Sequence, residues 1–486
     1  MLASWLFSAA EAVRAVTLPA LLGTGVFLTL RMRFLPWRNL FPALRLLTRR
    51  ESRSAGQGRV SPLSTLMTAL AATIGTGNIV GVATAITAGG PGALVWMEIA
   101  ALFGLSAKFA ECALAVKFRR PGEVSGGPMY TMARGIRPRL LGRALAAAFA
   151  GFAVLASFGI GDVTQSNSIA AALRQAFSLP PVPVGFVTAA LTLIIIRGGI
   201  RRIAGAASVL VPVMAGGYLL AGLAVIAVHW QSVPAALVEM LSQALSPAAV
   251  AGGAAGTALR WGVARGIFSN EAGMGSAAIT AASAGGSPAL QGYIHMTGVF
   301  FDTMVVCTVT GLAICCSGVL GAADPATGLP AEGAALTILA FETVLGPAGR
   351  VFLAVSIALF AFSSMLGWAC QGETALAYLA GRRAVPLYRC LFAAAAWAGA
   401  FLDVEEAFGL SDLCNCLMAL PNLACLLLLS GAAAREMESF QPEFHRNSRR
   451  IVGIFHLPHI VVEWVPWDFP EIFLPNPVLF VWLIPK

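Results

Sequence analysis

Two short stretches of this sequence combine helix-breaking residues with polar side chains in apolar surroundings. The first is GTGN at residues 75–78, and the second is SNEAGMG at residues 269–275. Glycine costs about 1 kcal/mol in a helix interior, so each stretch predicts a break in a helix. A half-helix that begins at such a break points free N–H groups and a positive dipole end at an anion, while unwound carbonyls suit a cation. The two stretches therefore predict groups that bind a carboxylate together with an ammonium group or a sodium ion.

The two stretches also open segments that resemble each other. Residues 75–94 and 271–290 align with an offset of 196 residues. The residues of the first segment that are identical in the second are Gly77, Thr84, Ala85, Ala88, Gly89, Gly90, Ala93 and Leu94. Two glycine-rich helices that pack closely in lipid would explain the small residues, but not their shared order. Matching breaks in two halves of a membrane protein indicate a duplicated unit with a binding site at the breaks.

The composition places the chain in a membrane. Of its 486 residues, 58% are hydrophobic and 11% are charged, whereas a soluble domain carries about 25% charged residues. The net charge of +9 does not indicate a nucleic-acid partner, because the basic residues lie in loops between apolar segments. The nine cysteines show no zinc-binding spacing, and we recognise no cleavable signal peptide at the start of the sequence.

Eleven apolar segments are candidates to span a bilayer, whose core of about 30 Å needs about 20 residues per helix. They lie at roughly residues 10–31, 62–88, 92–117, 142–176, 182–197, 203–228, 256–283, 288–318, 348–380, 386–402 and 408–431. Residues 31–59 contain eight arginines and residues 229–255 contain no Lys or Arg. This alternation predicts that the N-terminus is outside and the C-terminus cytoplasmic. Because five is odd, two consecutive sets of five spans form an inverted repeat.

The sequence thus predicts four regions. Residues 1–60 form an N-terminal helix and a basic cytoplasmic loop, and residues 61–230 form the first five-helix repeat. Residues 231–431 form a surface segment and the second repeat, and residues 432–486 form a cytoplasmic or interfacial tail whose prolines exclude a regular spanning helix. The motif SGGPMYTMARG (125–135) predicts a re-entrant or amphipathic segment in an inner loop.

Seven motifs between residues 60 and 430 carry a resemblance to a known family. They are ATIGTGNIVGVATAITAGGPGA, LFGLSAKFAECALAVKFR, GGPMYTMARG, GDVTQSNSIA, ARGIFSNEAGMGSA, VFFDTMVVCTVTG and FSSMLGWACQGE. In this combination the sequence resembles the alanine or glycine:cation symporters, also called sodium:alanine symporters. The resemblance implies an all-α polytopic fold of the leucine-transporter type, with two inverted five-helix repeats after one extra N-terminal helix.

The same resemblance implies the activity and its partners. We expect cation-coupled uptake of small neutral amino acids, mainly alanine and glycine, by alternating access across the plasma membrane, which for a bacterium is the inner membrane. Na+, or in some members H+, is the expected coupling ion, and no organic cofactor is expected. The expected partners are a small amino acid and the lipid bilayer, with no nucleic acid, and the oligomeric state is left open.

The candidate substrate-binding residues surround the two breaks or lie on the third span of each repeat. They are Thr73, Gly75, Thr76, Gly77, Asn78, Phe158, Gln165, Ser269, Asn270, Gly273, Met274 and Trp368. Asn78 could also cap a helix, and Met274 could equally be packed in the core. Trp368 lies one turn beyond Ser364 and is expected to limit the size of the substrate side chain.

The resemblance also implies oxygen ligands for Na+. The candidates are Ala71, Thr73, Ile74, Asn78, Asp302, Ser363 and Ser364. The two serines could instead pack or form hydrogen bonds within their own helix. Asp302 and Thr303 lie on the second span of the second repeat, where the fold could supply ion ligands.

Two acids are expected to have gating or structural roles, because a charge at the membrane centre is expensive and usually functional. Glu271 could pair with substrate or ion, carry a proton, or hold the two half-helices together by accepting hydrogen bonds from free N–H groups, which is the role we expect. Asp162 stands where the family usually has Asn, and could strengthen a cation or proton site or be a hydrogen-bonded acid. Lys108 and Glu111, three residues apart, predict a structural ion pair.

Three other functions compete with Na+-coupled uptake. A proton-coupled symporter of the same fold would use Asp162 or Glu271, and an amino-acid receptor would bind without transport. A membrane enzyme is disfavoured, because the spans contain no paired carboxylates and no His-rich metal motif in sequence.

Overall fold

The computed structural model describes residues 2–53, 60–119, 126–245, 257–325, 328–402 and 404–440, without the side chains of residues 2–10, 50–51 and 404–412. The regular structure of these residues is helical, apart from two isolated β-bridges. The chain up to Gln441 forms one compact unit. The helix Ser430–Phe440 belongs to the start of the predicted tail, and the rest of that tail lies outside the described residues.

The described helices range in length from 4 to 34 residues. The first half contains α1 (Leu2–Arg31), α2 (Leu35–Arg38), α3 (Leu40–Leu46), α4 (Arg50–Arg53), α5 (Pro62–Thr73), α6 (Val80–Gly89), α7 (Gly92–Lys117), α8 (Pro128–Gly135), α9 (Arg139–Phe158), α10 (Thr164–Phe177), α11 (Pro181–Ile196) and α12 (Gly199–Val228). The described second half contains α13 (Val233–Leu245), α14 (Thr257–Asn270), α15 (Ser276–Ala281), α16 (Pro288–Val299), α17 (Thr308–Cys316), α18 (Gly333–Leu345), α19 (Pro347–Ala380), α20 (Val385–Gly399), α21 (Val404–Leu428) and α22 (Ser430–Phe440). Wide π turns, Gly159–Val163 and Phe300–Cys307, connect α9 to α10 and α16 to α17.

Among the described residues, six helical segments are long and apolar enough to cross a membrane. They are Glu11–Arg31, Gly92–Lys117, Arg139–Phe177, Gly199–Val228, Pro288–Cys316 and Pro347–Ala380. Two bent pairs also qualify if each is one span: α5 with the chain from Thr76 to Gly89, at 62°, and Leu413–Leu428 with α22, at 66°. The predicted spans at 182–197 and 386–402 correspond to α11 and α20, which have 16 and 15 residues. The count of eleven and the repeat therefore stay predictions.

Both predicted breaks are present. Helix α5 ends at Thr73, a short 3-10 turn covers Thr76–Asn78, and α6 follows from Val80. Helix α14 ends at Asn270 and α15 begins at Ser276, with the backbone of Glu271, Gly273 and Gly275 at positive φ between them. This left-handed conformation favours glycine and cannot continue a right-handed helix, so the residue types impose the second break.

Two helices pack against the breaks. Helix α7 packs against α14, α15 and α6, and α19 packs against α5 and α12. Helix α8 lies in the inner-loop motif that predicted an amphipathic segment, with Met129 and Met132 buried and Arg134 over the ring of Tyr130. Helix α18 was not predicted, because 13 residues are too few for a span and residues 319–346 were interpreted as an outer loop. It packs on α6, where Thr337 Oγ1 donates to the carbonyl of Ile79 at 3.3 Å.

Candidate functional site

Asn78, at the first break, connects that break to the end of α14 and to the π turn after α16. Its Nδ2 donates to Ser269 Oγ at 3.0 Å and to Asp302 Oδ1 at 2.8 Å. The other carboxylate oxygen of Asp302 accepts from Ser269 Oγ at 2.7 Å and from Thr303 Oγ1 at 2.9 Å. All four side chains are buried. We call Asn78, Ser269, Asp302 and Thr303 the Asp302 cluster.

The Asp302 cluster has the chemistry of a small-cation site. It gathers a carboxylate and hydroxyl oxygens, the ligand types that hard cations prefer, in a buried position between both breaks. The amide oxygen of Asn78 accepts from the N–H of Gly75 at 2.9 Å, so this side chain caps the break as well as reaching the cluster. The thiol of Cys307, which the sequence did not mark, lies 3.3 Å from Asn78 Nδ2 and 3.4 Å from Ser269 Oγ.

A second group of oxygens faces the end of α5 from α19. Ser363 Oγ donates to the carbonyls of Ala71 and Phe360 at 3.3 and 2.9 Å, so it bonds within its own helix and to the break at once. Ser364 Oγ is buried and has no hydrogen-bond partner among the described residues. It lies against the Cα of Gly75, because a Cβ built at that glycine would overlap it. We call Ser363 and Ser364 the serine pair; an unpartnered hydroxyl beside the unwound carbonyls of Ala71 and Ile74 fits Na+ chemistry.

Of the other candidate residues at the first break, Thr76 bonds to another helix, Thr73 bonds within its own helix, and Gly77 lies next to the second break. Thr76 Oγ1 donates to Gln165 Oε1 at 3.3 Å, and Gln165 Nε2 donates to the carbonyl of Ile160 at 2.9 Å. Thr73 Oγ1 instead reaches the carbonyl of Leu70, 3.5 Å away in its own helix. Gly77 lies beside Ser269, with room for a methyl group: the Cα of that serine is 3.8 Å from a Cβ built at the glycine.

Trp368 and Met274 belong to one buried apolar cluster. Trp368 lies against Gly161, where a Cβ would overlap the indole side chain. The ring of Phe158 contacts the rings of Tyr388 and Phe392, with centroids 5.3 and 5.7 Å apart. The structure therefore packs Trp368 on the π turn after α9, and it directs Phe158 toward α20 rather than toward the breaks.

At the second break, Asn270 is used as a local cap. Its Oδ1 accepts from the N–H of Ala272 at 3.0 Å, and its Nδ2 donates to Thr303 Oγ1 at 3.2 Å. Asn270 therefore connects the second break to the Asp302 cluster. Its neighbours Gly273 and Met274 are buried, and a Cβ built at Gly273 would approach Leu21, Leu423 and Ala107.

The role that we expected for Glu271 belongs to Glu111. The free N–H groups of Gly273 and Gly275 donate to Glu111 Oε2 at 3.1 and 3.0 Å. Glu271 instead accepts a hydrogen bond from the Oγ of Ser276, the first residue of α15. The prediction was wrong because sequence spacing cannot reveal that α7 crosses the second break and brings a carboxylate to it.

Lys108 and Asn422 complete this arrangement, which we call the Glu111 network. Lys108 Nζ lies 3.3 Å from Glu111 Oε1, which confirms the predicted pair, and donates to the carbonyl of Glu271 at 3.1 Å. Asn422 Nδ2 on α21 donates to the carbonyl of Gly273 at 2.8 Å and lies 3.3 Å from Glu111 Oε2. Glu111 lies in the LFGLSAKFAECALAVKFR motif, which gave a signal for it, whereas no sequence pattern marked Asn422.

Asp162, Glu98 and His295 are three further ionisable residues within the predicted spans. Asp162 is buried in the π turn after α9, and neither of its oxygens has a hydrogen-bond partner among the described residues. Glu98 accepts from Thr308 Oγ1 at 2.8 Å. His295 is buried with its Nε2 3.3 Å from Thr65 Oγ1.

The fold and the two broken helices define a class of membrane transporter. The structure is similar to the crystal structure of MhsT in complex with L-phenylalanine, with a TM-score of 0.55. The matched region covers 78% of this chain and 92% of the MhsT chain. The two sequences are 14% identical, so the likeness concerns the fold alone, which is of the leucine-transporter type. Discontinuous helices that meet near the membrane midplane are how such transporters build their sites.

The sequence comparisons identify the family. The profile of the sodium:alanine symporter family matches residues 2–452. The sodium/alanine symporter AgcS of Methanococcus maripaludis is 44% identical over 434 residues, which cover 88% of this chain and 95% of AgcS. The probable sodium/glutamine symporter GlnT of Bacillus subtilis is 37% identical over 417 residues, or 84% of each chain.

The chain belongs to the sodium:alanine symporter family. It is a multi-pass membrane protein and a Na+-coupled amino-acid transporter rather than an enzyme. The resemblance that the seven sequence motifs carried is confirmed.

Proposed function

We propose that the protein drives uptake of alanine and glycine with Na+ by alternating access. The observation that carries this proposal is the Asp302 cluster, in which residues from both breaks share one buried carboxylate. A cation bound there contacts both broken helices at once, so its binding free energy favours the arrangement that also binds the substrate. The name of the relative AgcS supports alanine, whereas GlnT shows that the family also includes a probable glutamine carrier.

The substrate in this proposal lies between the two breaks. The N–H groups at the start of α6, from Thr76 onward, suit its carboxylate, and Gly75 and Gly77 keep side chains away from it. The carbonyls of the second break, with Asn270, suit its ammonium group. Close packing of Trp368 on Gly161, with Met274 in the same apolar cluster, supports a small side chain.

Two groups of residues are the proposed Na+ ligands. Asp302 contributes carboxylate oxygens in the Asp302 cluster, and Asn78 contributes its amide oxygen from the side of the first break, where it now accepts from Gly75. The serine pair contributes hydroxyls beside the carbonyls of Ala71 and Ile74. Thr73 is the weakest candidate, because its hydroxyl already reaches Leu70. One Na+ moving across 100 mV gains about 2.3 kcal/mol, and a tenfold gradient adds about 1.4 kcal/mol, so each ion supports a few-hundredfold substrate gradient.

The side of the protein that is predicted to be cytoplasmic carries a cavity, whereas a helix covers the first break on the opposite side. A cavity of about 350 Å³ is lined by Arg201, Ser283, Cys370, Glu373 and Arg389, near the loops that the positive-inside rule assigns to the cytoplasm. On the opposite side, α18 covers the start of α6. In this proposal the N-terminus is outside and the C-terminus cytoplasmic, and the membrane is a bacterial inner membrane. The five-helix units are those predicted at 61–230 and 231–431, and one bundle that holds both broken helices rocks against the rest of the protein.

Uptake in liposomes tests the proposal. Purified protein is reconstituted, and labelled alanine uptake is followed with an inward Na+ gradient and then with choline in place of Na+. Accumulation above equilibrium with Na+ and none with choline is the expected result. Bound alanine without accumulation would contradict transport of alanine and favour a receptor, and accumulation of glutamine in its place would contradict the proposed substrates.

A further inference from the structure

Asp162 is a buried acid whose charge has no evident partner. It lies in the π turn Gly159–Val163 with no exposed surface, and neither carboxyl oxygen has a hydrogen-bond partner among the described residues. An isolated carboxylate in such surroundings is very unfavourable, so acids inside membranes are normally paired or neutralised. A π turn inside a helix is itself often found at functional sites. Asp162 therefore requires a source of positive charge.

The π turn lies in a polar layer between neighbouring helices. It packs against α19, α20 and α21. Gly161 contacts Trp368, and one turn further along α19 a Cβ at Gly372 would overlap both Ser157 Oγ and Tyr388 OH. Those two hydroxyls are 2.9 Å apart. Because Trp368 and Gly372 are four residues apart on one face of α19, the turn that carries Asp162 lies next to this hydroxyl pair.

Two amides on helices that pack against the π turn are unpartnered as well. Gln371 on α19 precedes Gly372, and Asn415 on α21 follows Cys414, which shares an apolar cluster with Trp368. Both amide side chains are buried, and their oxygen and nitrogen atoms have no hydrogen-bond partner among the described residues. A buried polar group left unsatisfied costs about 1–3 kcal/mol. A carboxyl and two amides in this state on adjoining helices indicate a site for a ligand.

The described protein groups do not neutralise Asp162. Glu373 and Arg389 pair with each other, with two contacts of 2.8 Å, and Arg350 pairs with Glu342. The other described basic side chains on the packed helices, near the ends of α9 and α10, are Arg139, Arg143 and Arg174. The described titratable groups without a formal charge on α19, α20 and α21 are Cys370, Tyr378, Tyr388, Cys390, Cys414, Cys416 and Cys425.

We propose that Asp162 is the centre of an additional monovalent-cation site, filled by a proton or by Na+ during transport. Gln371, Asn415 and the hydroxyls of Ser157 and Tyr388 supply oxygens around it. The site is distinct from the Asp302 cluster and from the serine pair. It shares α19 with the serine pair, so occupancy of one site is transmitted to the other through a single helix. This inference rests on the proposed Na+-driven uptake and adds a cation to it.

The test compares cation movement per alanine in the wild-type protein and in Asp162→Asn. Liposomes containing a trapped pH dye receive labelled alanine and labelled Na+, so proton, Na+ and alanine fluxes are measured together. The wild-type protein moves about one cation more per alanine than the variant. If the ligand is a proton, the lumen of wild-type liposomes acidifies with uptake and the Asp162→Asn liposomes do not. If the ligand is Na+, the Na+:alanine ratio falls by about one in the variant.

Matched variants distinguish the loss of this cation site from the general effect of removing a buried acid. Glu98→Gln changes an acid that already has a partner in Thr308, and it keeps the wild-type cation:alanine ratio. Asp162→Glu keeps the additional cation. If Asp162→Asn does not fold, Gln371→Leu provides the test, because it raises the half-saturating concentration of the additional cation several-fold.

The outcomes separate the two proposals. Na+-driven alanine uptake with the same cation:alanine ratio and no proton flux in the wild-type protein and Asp162→Asn overturns the additional site and leaves the proposed function standing. Absence of Na+-driven uptake in the wild-type protein overturns the proposed function instead. An unchanged cation affinity in Gln371→Leu likewise counts against the additional site.

Discussion

The two breaks have similar sequences but are stabilised in opposite ways. At the first break, the amide of Asn78 caps the N–H of Gly75, and the hydroxyl of Ser364 beside that glycine has no described partner. At the second break, the free N–H groups of Gly273 and Gly275 are satisfied by Glu111. The second break is thus closed by the protein itself, whereas the first leaves polar groups for ligands.

The comparison assigns a different role to each of the two breaks. Hydrogen bonds between buried polar groups make a region rigid, because each bond would have to break before the backbone could move. The Glu111 network therefore holds the second break as a frame connected to α7 and α21. The first break supplies the groups whose partners change during transport, and the Asp302 cluster is where the two meet.

Removing Glu111 should have the largest effect. Glu111→Ala leaves the N–H groups of Gly273 and Gly275 unsatisfied and the charge of Lys108 unpaired, and breaking a buried pair from one side costs about 3–5 kcal/mol. We expect a large fall in the melting temperature of the detergent-solubilised protein. The double variant Lys108→Met/Glu111→Met, which removes both charges, should be less damaged. An unchanged melting temperature in Glu111→Ala would contradict the claim that the Glu111 network stabilises the second break.

Gly75→Ala should damage transport more than stability. The new methyl group overlaps Ser364 Oγ, and overpacking of this kind costs about 1–3 kcal/mol. We expect Na+-driven uptake to fall roughly tenfold or more, since about 1.4 kcal/mol is a factor of ten. Gly77→Ala also adds a methyl group next to the proposed carboxylate position but without the overlap, because the nearest atom to its new methyl group is 3.8 Å away, so uptake should fall less than in Gly75→Ala. Equal loss of uptake in both variants would show that the contact with Ser364 is not the cause.

The serine pair should respond unequally to substitution. Ser364→Ala removes the hydroxyl that lacks a described partner, and we expect the Na+ concentration for half-maximal uptake to rise about tenfold, as for the loss of one oxygen ligand worth about 1–1.5 kcal/mol. Ser363→Ala removes a hydroxyl that already bonds to Phe360, so the rise should be smaller. The Na+ dependence of initial alanine uptake measures both values. A larger rise for Ser363→Ala than for Ser364→Ala would show that Ser363, not Ser364, is the more important Na+ ligand.

Glu271→Gln should have the smallest effect of the series. Its side chain accepts a hydrogen bond from Ser276, and a glutamine oxygen can accept the same bond. We expect the melting temperature and the uptake rate to stay close to wild-type values, in contrast to Glu111→Ala. A large loss of uptake in Glu271→Gln would support the gating or structural role that the sequence predicted for this acid.

Local chemistry was visible in the sequence, and long-range contacts were not. The breaks followed from glycine and polar residues inside apolar segments, and the cap by Asn78 from its position after Gly77. Glu111 and Asn422 meet the second break from helices distant in sequence, and no periodicity encodes that contact. Helix α18 was missed because a 13-residue helix in an outer loop lacks the length of a span.

The central claim is that Asp302 couples Na+ to substrate by joining the two breaks. The most direct test is to measure alanine binding to purified protein by calorimetry, with and without Na+, for the wild-type protein and Asp302→Asn. We predict that Na+ strengthens alanine binding to the wild-type protein by at least about tenfold, a coupling free energy of about 1.4 kcal/mol. In Asp302→Asn this strengthening should largely disappear while the Na+-independent affinity changes little. An equal effect of Na+ on both proteins would contradict the account.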